Sequence, residues 1–414
     1  MPAPASVIVV GDGIIGLACA LVLQQAGTAV VLIGPAGHPT GASIGNAGHI
    51  AIEQVEPLAS RAVLRSLPRR LFMAGGPVAL PLREIGAWLP FGLRLLSASS
   101  PLRFAQGKIT LGAMLSTAFP AWRRLARAAG ADGLLRQDGH YVLWESEATA
   151  AEGRARWARA EIGEARWRDA TAAETREFKT LIRAPLAGGL RFEGSGQVTD
   201  IDALVRALRL AFRTAGGTFR QGVVTAVGHD GAAAVELADG DRLQADAVLV
   251  AAGTASAGLL APLGLRAPII AERGYHVHSP APDWPAMLPP IVFEDRSIIA
   301  TRFADGLRVA GFTEFGREQS PPDPRKWHRL RAHATALGLP LTGPMREWMG
   351  ARPTLPDYLP AIGRSDRHPR IFYAFGHQHL GLTLAATTAE AVAGLMRGAS
   401  LAFDPAPLSL DRFG

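Results

Sequence analysis

The sequence contains little cysteine and little lysine, and it has no long apolar run. Its single cysteine, Cys19, excludes a disulfide within the chain and is typical of a reducing compartment. No apolar run reaches the roughly 18 residues of a membrane-spanning helix, and no basic segment leads into an apolar one at the N-terminus. We therefore expect no signal peptide, no spanning helix and a cytoplasmic location.

The composition is that of a well-buried globular protein. Hydrophobic residues make up 48% of the 414 and charged residues only 19%, which argues against a disordered chain. Because a single hydrophobic core stops growing near about 250 to 300 residues, we expect two cores.

The net charge of +7 is unevenly spread along the chain. Eight basic residues lie from Arg61 to Lys108, against Glu84 as the single acid. Such a stretch is more often a solvated face, but it also suits an anionic membrane surface, so peripheral contact with the inner face of the membrane is a further expectation. No nucleic-acid-binding motif accompanies the charge, and we expect no nucleic acid as a partner.

A glycine pattern near the N-terminus predicts a dinucleotide site. Gly11, Gly13 and Gly16 form G-x-G-x-x-G between a predicted strand at 6–10 and a predicted helix at 14–25. The first glycine suits a tight turn, the second the approach of a pyrophosphate, and the third close packing of the helix. The free N–H groups and the positive dipole end of this helix then face the phosphates.

The acid that commonly binds the ribose of the dinucleotide is missing. It is expected at the end of the second strand, about 20 residues further on, where this chain has Ile33, Gly34 and Pro35. We expect backbone groups or water to hold the ribose instead, or the cofactor to be held less tightly.

Three further segments of small residues extend this prediction. The loop from Ser43 to Gly48 follows the second strand, and an apolar strand at 247–251 leads into Ala252 and Gly253. Near the C-terminus, residues 376–383 (GHQHLGLT) lie between a strand and a long apolar helix. The N-terminus of that helix suits the negative charge of a reduced flavin.

In this order the segments resemble the D-amino-acid oxidase superfamily of FAD proteins, most closely D-amino-acid and D-hydroxyproline dehydrogenases. The resemblance rests on VVGDGIIGLACA at the start, SIGNAG at 43–48, Arg273-Gly274-Tyr275, 300–303 (ATRF), 350–353 (GARP) and 376–383. It implies an α/β fold with a Rossmann-like FAD-binding domain built from discontinuous segments and an inserted α+β substrate domain carrying an antiparallel sheet. The expected boundaries are 1–85, 195–265 and 348–414 for the first domain, and 86–194 and 266–347 for the second.

The implied cofactor is noncovalent FAD, and no metal is expected. The glycine motifs and the resemblance together predict these cofactor-binding residues: Gly11, Asp12, Gly13, Ile14, Ile15, Gly16, Ser43, Asn46, Ala47, Gly48, Val224, Ala252, Gly253, Gly376, His377, Leu380, Gly381, Leu382 and Thr383.

Arg352 is the leading candidate on the substrate side. In the resembling enzymes the arginine of G-x-R-P holds the substrate carboxylate, a role that suits a planar guanidinium with five donors. Tyr275 matches a substrate-domain tyrosine, although an ordinary core tyrosine is an equal alternative. His49, His377 and His379 are candidates for acid–base roles, but a substrate amine that binds neutral needs no base.

The resemblance implies oxidation of a D-amino acid or a cyclic D-imino acid, such as D-hydroxyproline or D-proline, by hydride transfer from the α carbon to flavin N5. The electrons then pass to a quinone, a respiratory carrier or oxygen. Two alternatives stay open: a sarcosine or glycine oxidase of the same fold, and a noncatalytic FAD-binding subunit at a membrane surface.

Overall fold

The computed structural model describes residues 3–35, 41–230 and 232–414. Its α-helices are α1 (Ile14–Gln25), α2 (Arg61–Arg70), α3 (Ile85–Ala98), α4 (Pro101–Ser116), α5 (Ala118–Ala128), α6 (Glu147–Trp157), α7 (Ala172–Leu181), α8 (Ile201–Thr214), α9 (Ser256–Leu260), α10 (Pro324–Leu337) and α11 (Gly381–Arg397). Its strands are β1 (Ser6–Val10), β2 (Ala29–Gly34), β3 (His49–Ile50), β4 (Val78–Ala79), β5 (Leu135–Arg136), β6 (His140–Trp144), β7 (Arg166–Asp169), β8 (Gly188–Glu193), β9 (Gly196–Val198), β10 (Thr218–Gln221), β11 (Val224–Asp230), β12 (Ala232–Leu237), β13 (Arg242–Ala245), β14 (Ala247–Val250), β15 (Ile270–Ser279), β16 (Ile291–Phe293), β17 (Ile298–Phe303), β18 (Gly306–Gly316), β19 (Arg346–Thr354), β20 (Ala361–Arg364) and β21 (Ile371–Phe375).

A six-stranded sheet forms the first core, with the strand order β10-β2-β1-β14-β21-β20. The first five strands are parallel and β20 is antiparallel. Along β1, Val7 and Val9 pack with α1, α8 and α11, while Ile8 and Val10 pack against the small sheet β11-β12-β13. A strand buried on both faces reads as a continuous apolar run, as the sequence does at 7–10.

Four glycine-bearing turns meet at one edge of this sheet. Neighbouring strands β2, β1, β14 and β21 run parallel, so their carboxyl ends lie side by side. The residues that follow or close these ends are Gly34, Gly11, Gly253 and Gly376. This edge is where open α/β sheets bind their ligands, and the structure brings the predicted glycine segments at 11–16, 252–253 and 376–383 to it.

The second core lies on a larger, mostly antiparallel sheet in the order β19-β15-β18-β17-β16-β6-β8-β7, with β4 paired to β18. Helix α10 packs on β15 and β18. Residues 346–354 form β19 and pair with β15, so Arg352 belongs to this sheet, whereas the predicted boundary assigned 348–414 to the FAD-binding unit. The expected mixed α/β architecture with an antiparallel sheet is confirmed.

Two predicted elements divide differently in the structure. A single helix at 111–129 is predicted, but α4 begins at Pro101 and stops at Ser116, after which α5 begins. Pro120 has no N–H to donate to the carbonyl of Ser116, so the backbone hydrogen bonds are interrupted at this junction. The single strand predicted at 218–227 is two strands in different sheets, separated at Gly222, whose N–H donates to the Gly34 carbonyl.

Among the described residues, no helix combines the length and the apolar character needed to cross a membrane.

Candidate cofactor and substrate site

The first glycine turn has the geometry that a dinucleotide requires. Gly11 adopts a φ of 107°, and a Cβ there would lie 2.5 Å from the Ala251 carbonyl oxygen. A Cβ on Gly16 would lie 1.8 Å from the Gly11 carbonyl oxygen, so α1 packs directly on the turn. Helix α1 has no side-chain N-cap within its own turn. Apart from the Ile14 N–H, which donates to Ser43 Oγ, the N–H groups of its first turn have no side-chain partner among the described residues, and they suit phosphate oxygens.

The neighbouring predicted residues lie around the same helix end. The Ile14 N–H donates to Ser43 Oγ at 3.1 Å, and Ile15 is the next residue of the first turn. Gly253 has a φ of 59° and no atom of another segment within 4 Å of an added Cβ, so there is room beside it and Ala252. Val224 begins β11, two residues after the contact between Gly222 and β2. These positions fit an FAD pyrophosphate and adenosine.

The loop at 43–48 is fixed to the nine-stranded sheet. Arg308 donates to the carbonyl oxygens of Ile44 and Asn46, and His276 Nδ1 lies 3.1 Å from the Gly45 oxygen. The Gly48 N–H donates to Asn46 Oδ1 at 2.8 Å, and Gly48 has a φ of 76°. The predicted residues Asn46, Ala47 and Gly48 are thus held where the two sheets meet.

The C-terminal turn at 376–383 lies against the segment after that loop. Thr383 Oγ1 accepts from the Ala51 N–H at 3.1 Å. Gly376 and Gln378 have φ values of 80° and 47°, and α11 begins at Gly381 without a side-chain cap. The first N–H groups of α11, at Gly381, Leu382 and Thr383, therefore supply a second positive helix end at the site.

The two histidines of this turn are held differently. His377 is buried, bonds through Nε2 to Thr388 Oγ1 at 2.9 Å, and has its pKa lowered to about 3 by burial. Its side chain thus supports α11. His379 Nε2 bonds to Gln54 Oε1, and burial lowers its pKa to about 4. Both imidazoles are neutral near pH 7.

Arg352 lies directly opposite Glu272 across the β15–β19 pair. Its Nη1 donates to Glu272 Oε1 at 3.3 Å, and its side chain is 27% exposed. No described residue accepts a hydrogen bond from its Nε or Nη2. Gly274 leaves room for the guanidinium, because a Cβ there would lie 2.3 Å from Nη2.

Glu272 is buried and is held from several sides. Thr354 Oγ1 donates to its Oε2 at 2.9 Å, and the buried Tyr358 phenol lies close enough for the two groups to interact electrostatically. Burial and the nearby carboxylate raise the pKa of Tyr358 well above its ordinary value, so this phenol stays protonated. Thr354 also pairs with His377 in an isolated bridge, which fixes the end of β19 beside the C-terminal turn.

The structure does not bring Tyr275 to Arg352. Strand residues alternate between faces, and β15 directs Glu272 and Gly274 to one face but Arg273 and Tyr275 to the other. The Tyr275 hydroxyl lies 3.0 Å from Arg273 Nη2 and accepts from the Asp323 N–H at 3.2 Å. Tyr275 is only 1% exposed and belongs to the core under α10.

His49 lies in a buried polar cluster beside the loop at 43–48. Its Nε2 bonds to Glu53 Oε1 at 3.2 Å, and its ring meets that of His140 with centroids 4.6 Å apart. His140 Nδ1 bonds to Ser195 Oγ at 2.7 Å, and burial lowers the pKa of His140 to about 3. Burial opposes the charge on Glu53, but the charges of both histidines and a hydrogen bond from His49 lower its pKa.

This cluster contains unsatisfied polar atoms. Glu53 Oε2 and both side-chain polar atoms of Gln197 are buried without a partner. One ligand atom from each of His49, Glu53 and His140 lies within 4.8 Å of the others, a spacing compatible with a metal ion. Each histidine, however, already has a protein partner, and we propose no metal there.

Four residues of the site were absent from the sequence prediction: Glu272, Tyr358, Glu53 and His140. The one available signal for Glu272 was its position next to the Arg273-Gly274-Tyr275 segment, since β15 also carries other polar residues. The other three come from segments without a motif, and only the folded chain brings them near the predicted loops.

Comparisons with known proteins identify the family to which the chain belongs. Curated relatives include a D-amino-acid oxidase from Bradyrhizobium diazoefficiens, 30% identical with all of both chains covered, and a D-amino acid dehydrogenase from Cereibacter sphaeroides, 29% identical over 98% of this chain and 95% of its own. The fold is similar to that of glycine oxidase from Geobacillus kaustophilus, with a TM-score of 0.73, 23% identity, and 98% and 97% of the two chains covered. The family model described as FAD dependent oxidoreductase matches residues 6–395, and the chain belongs to this family, known as DAO.

Proposed function

We propose that the protein oxidises a D-amino acid or a cyclic D-imino acid, such as D-hydroxyproline or D-proline, at its α carbon. The observation that carries the proposal is the state of Arg352, whose guanidinium keeps Nε and Nη2 free of described partners while Glu272 fixes Nη1. Two adjacent donors of a guanidinium match the two oxygens of a carboxylate. The names of the curated relatives favour the D series.

FAD, when bound, supplies the acceptor for the two electrons that leave the substrate. The residues of this chain position the reacting carbon. Arg352 binds the substrate carboxylate, and the buried Glu272 holds the guanidinium in one orientation. The phenol beside this carboxylate is that of Tyr358 rather than that of Tyr275. Fixing the carboxylate of a small substrate in one orientation lowers the entropic part of the barrier.

The first turn of α11 stabilises negative charge at the site. Its uncapped N–H groups at Gly381 to Thr383 stabilise negative charge that develops during reduction, because they are fixed in place and shielded from water. His379 is neutral near pH 7 and acts as a hydrogen-bonding group toward Gln54. A substrate amine that binds neutral therefore needs no side chain as general base.

A second candidate substrate class is glycine or an N-substituted glycine. It is favoured by the likeness in fold to the glycine oxidase and to an iminodiacetate oxidase from Chelativorans sp. BNC1, which has a TM-score of 0.73, 21% identity, and 97% and 98% of the two chains covered. Such substrates share the carboxylate and lack a chiral α carbon. The part of the site that contacts the substituent on the α carbon therefore decides between these substrates and the D series.

The test is anaerobic bleaching of the flavin absorbance by each candidate substrate. The panel contains D- and L-proline, D-hydroxyproline, D- and L-alanine, sarcosine and glycine. The proposal expects rapid bleaching by a D-amino or D-imino acid and none by its L enantiomer. Bleaching by glycine or sarcosine alone establishes the second candidate, and an L preference overturns the proposal. Repeating the active substrate with oxygen, a quinone and a dye identifies the electron acceptor.

We further propose that residues 61–109 contact the inner face of the membrane while the enzyme works in the cytoplasm. Helix α2 buries none of its residues, and Arg61, Arg65 and Arg69 are exposed on it. Of the eleven strongly exposed large apolar side chains among the described residues, eight lie in 73–109, including Met73, at 84%, and Leu82, at 81%. Exposed apolar groups beside arginines suit an anionic lipid surface.

A further inference from the structure

The end of β2 lacks the acid that binds the ribose in most dinucleotide folds. In that role an Asp or Glu projects from the strand end next to the glycine turn. Here β2 ends at Gly34, which has no side chain, and its carbonyl accepts from the Gly222 N–H at 2.9 Å. The space beside Gly34 is nevertheless occupied by a side chain from another element.

Asp12 fills the space that a side chain at position 34 would take. A Cβ built on Gly34 would lie 2.3 Å from Cγ and 2.5 Å from Oδ1 of Asp12, so the two positions cannot both carry a side chain. Asp12 stands between the first two glycines of the α1 turn and is 8% exposed. The carboxylate therefore reaches the strand end from the turn.

Arg209 of α8 fixes this carboxylate. Its Nη2 donates to Asp12 Oδ2 at 2.6 Å, while its guanidinium lies over the Phe219 ring, 4.9 Å from the centroid. No described residue donates a hydrogen bond to Asp12 Oδ1. The arginine also compensates a negative charge that otherwise lies close to the pyrophosphate binding site.

We propose that Asp12 is the ribose-binding acid of this protein, so that its carboxylate accepts hydrogen bonds from the adenosine ribose of FAD. The expectation that backbone groups or water hold the ribose is thereby replaced. The acid lies at the second position of the glycine motif rather than at the end of β2. Gly34, which has no side chain, leaves the space that the Asp12 side chain occupies. The inference rests on FAD binding and is independent of which substrate is oxidised.

The test measures the dissociation constant of FAD, and of an FAD analogue with 2′,3′-dideoxyadenosine, for apoprotein prepared from the whole chain. Quenching of cofactor fluorescence reports binding without any turnover. A hydrogen bond to a charged group accounts for roughly tenfold to hundredfold in affinity. We expect the wild type to bind the analogue with a dissociation constant larger than that for FAD by this factor. Asp12→Ala is expected to bind both equally, at the weaker level.

Position 34 supplies a second and opposite test. Gly34→Asp alone collides with Asp12 and is expected to lower FAD affinity or folding yield. The double variant Asp12→Gly/Gly34→Asp restores the common arrangement and is expected to recover discrimination against the dideoxy analogue. Asp241→Ala is the matched control, since it removes another carboxylate held by an arginine, Arg220, on the surface. This control is expected to bind both cofactors as the wild type does.

Two results overturn the inference. The first is an Asp12→Ala protein that still discriminates against the dideoxy analogue as the wild type does. The second is a wild type that binds both cofactors equally, in which case Asp12 only supports the turn. Neither result affects the proposed substrate, which fails separately if no D-amino or D-imino acid bleaches the flavin.

Discussion

Arg352 and Glu272 face each other across two paired strands, with Nη1 of the arginine 3.3 Å from the buried carboxylate. The rest of the guanidinium is directed away from Glu272 and lies in the space that Gly274 leaves open. The pair fixes a cation in orientation while leaving its donors usable. This is the arrangement expected of a carboxylate-binding residue rather than of a surface arginine.

Replacing Arg352 by Ala is expected to reduce kcat/KM for the best substrate by at least about a hundredfold, because a charged, two-point contact is lost. Flavin content is expected to stay at the wild-type level, since no described residue of the glycine turns forms a hydrogen bond with the Arg352 side chain. Arg346→Ala is the matched control on the same strand, as Arg346 is 69% exposed and pairs with Asp305. Equal kinetics for the two variants would remove Arg352 from the substrate site.

Glu272 is expected to act through Arg352. Glu272→Leu leaves the guanidinium without its anchor and is expected to lower kcat about tenfold or more, with FAD still bound. Glu272→Gln keeps one oxygen that can accept from Arg352, while its NH2 group can donate to the Thr354 hydroxyl, and it is expected to recover part of the loss. If both variants lose activity and thermal stability in parallel, Glu272 has only a structural role.

The glycine turns were predictable because their signals are local. Gly11 and Gly376 each follow a strand directly, Gly16 packs α1 onto the first turn, and the strand order places the strand ends side by side. The face of β15 was not predictable from the tripeptide Arg273-Gly274-Tyr275, since the parity of a strand depends on what packs on each side. Tyr275 therefore lies in the core, and Glu272, which no motif marked, lies at the site.

The distant residues of the site could not be predicted for another reason. Glu53 and His140 are 87 positions apart in the sequence but belong to the same buried cluster. No sequence pattern relates β6, which carries His140, to the segment after the loop at 43–48, which carries Glu53. Likewise, the role of Asp12 depends on the absence of a side chain at Gly34. Sequence motifs are local, so they identify Asp12 and Gly34 separately but do not predict that the side chain of one fills the space beside the other.

Gly16→Ala is expected to prevent assembly of the cofactor turn. The added Cβ lies 1.8 Å from the Gly11 carbonyl oxygen, so α1 must move off β1 at a cost of about 3 kcal/mol or more. We expect low flavin content and a lower thermal midpoint. Gly258→Ala is the control, because this helical glycine has no neighbouring atom within 4 Å of a Cβ and its replacement changes stability by about 1 kcal/mol or less. Full FAD occupancy in Gly16→Ala would contradict the packing.

His377 is expected to make the protein less stable in acid. Its folded pKa of about 3 lies below the ordinary value of 6.5, so between these values the unfolded chain binds a proton that the folded chain does not. Stability is therefore lost as pH falls through this window, at up to about 1.4 kcal/mol per pH unit for this group.

Urea unfolding of His377→Gln across that range, with FAD saturating, tests the assignment. The variant loses the bond to Thr388 at every pH. The slope of its unfolding free energy against pH is expected to be smaller than that of the wild type by up to about 1.4 kcal/mol per pH unit, which corresponds to one proton. The exposed His328 supplies the control, and His328→Gln is expected to leave the wild-type slope. A His377→Gln slope equal to that of the wild type would show that its imidazole does not titrate with unfolding.

The basic and apolar surface at 61–109 predicts salt-dependent binding to vesicles that contain phosphatidylglycerol. Each arginine near an anionic surface contributes about 1 kcal/mol, so replacing Arg61, Arg65, Arg69 and Arg70 together by Ser is expected to weaken binding by at least about tenfold, with unchanged flavin content. The control replaces four exposed basic residues elsewhere, namely Arg159, Arg166, Arg176 and Lys179. Equal losses from the two quadruple variants would assign the binding to net charge alone. Absence of binding by the wild type at low salt would exclude this surface as a membrane contact, since the electrostatic attraction is greatest under that condition.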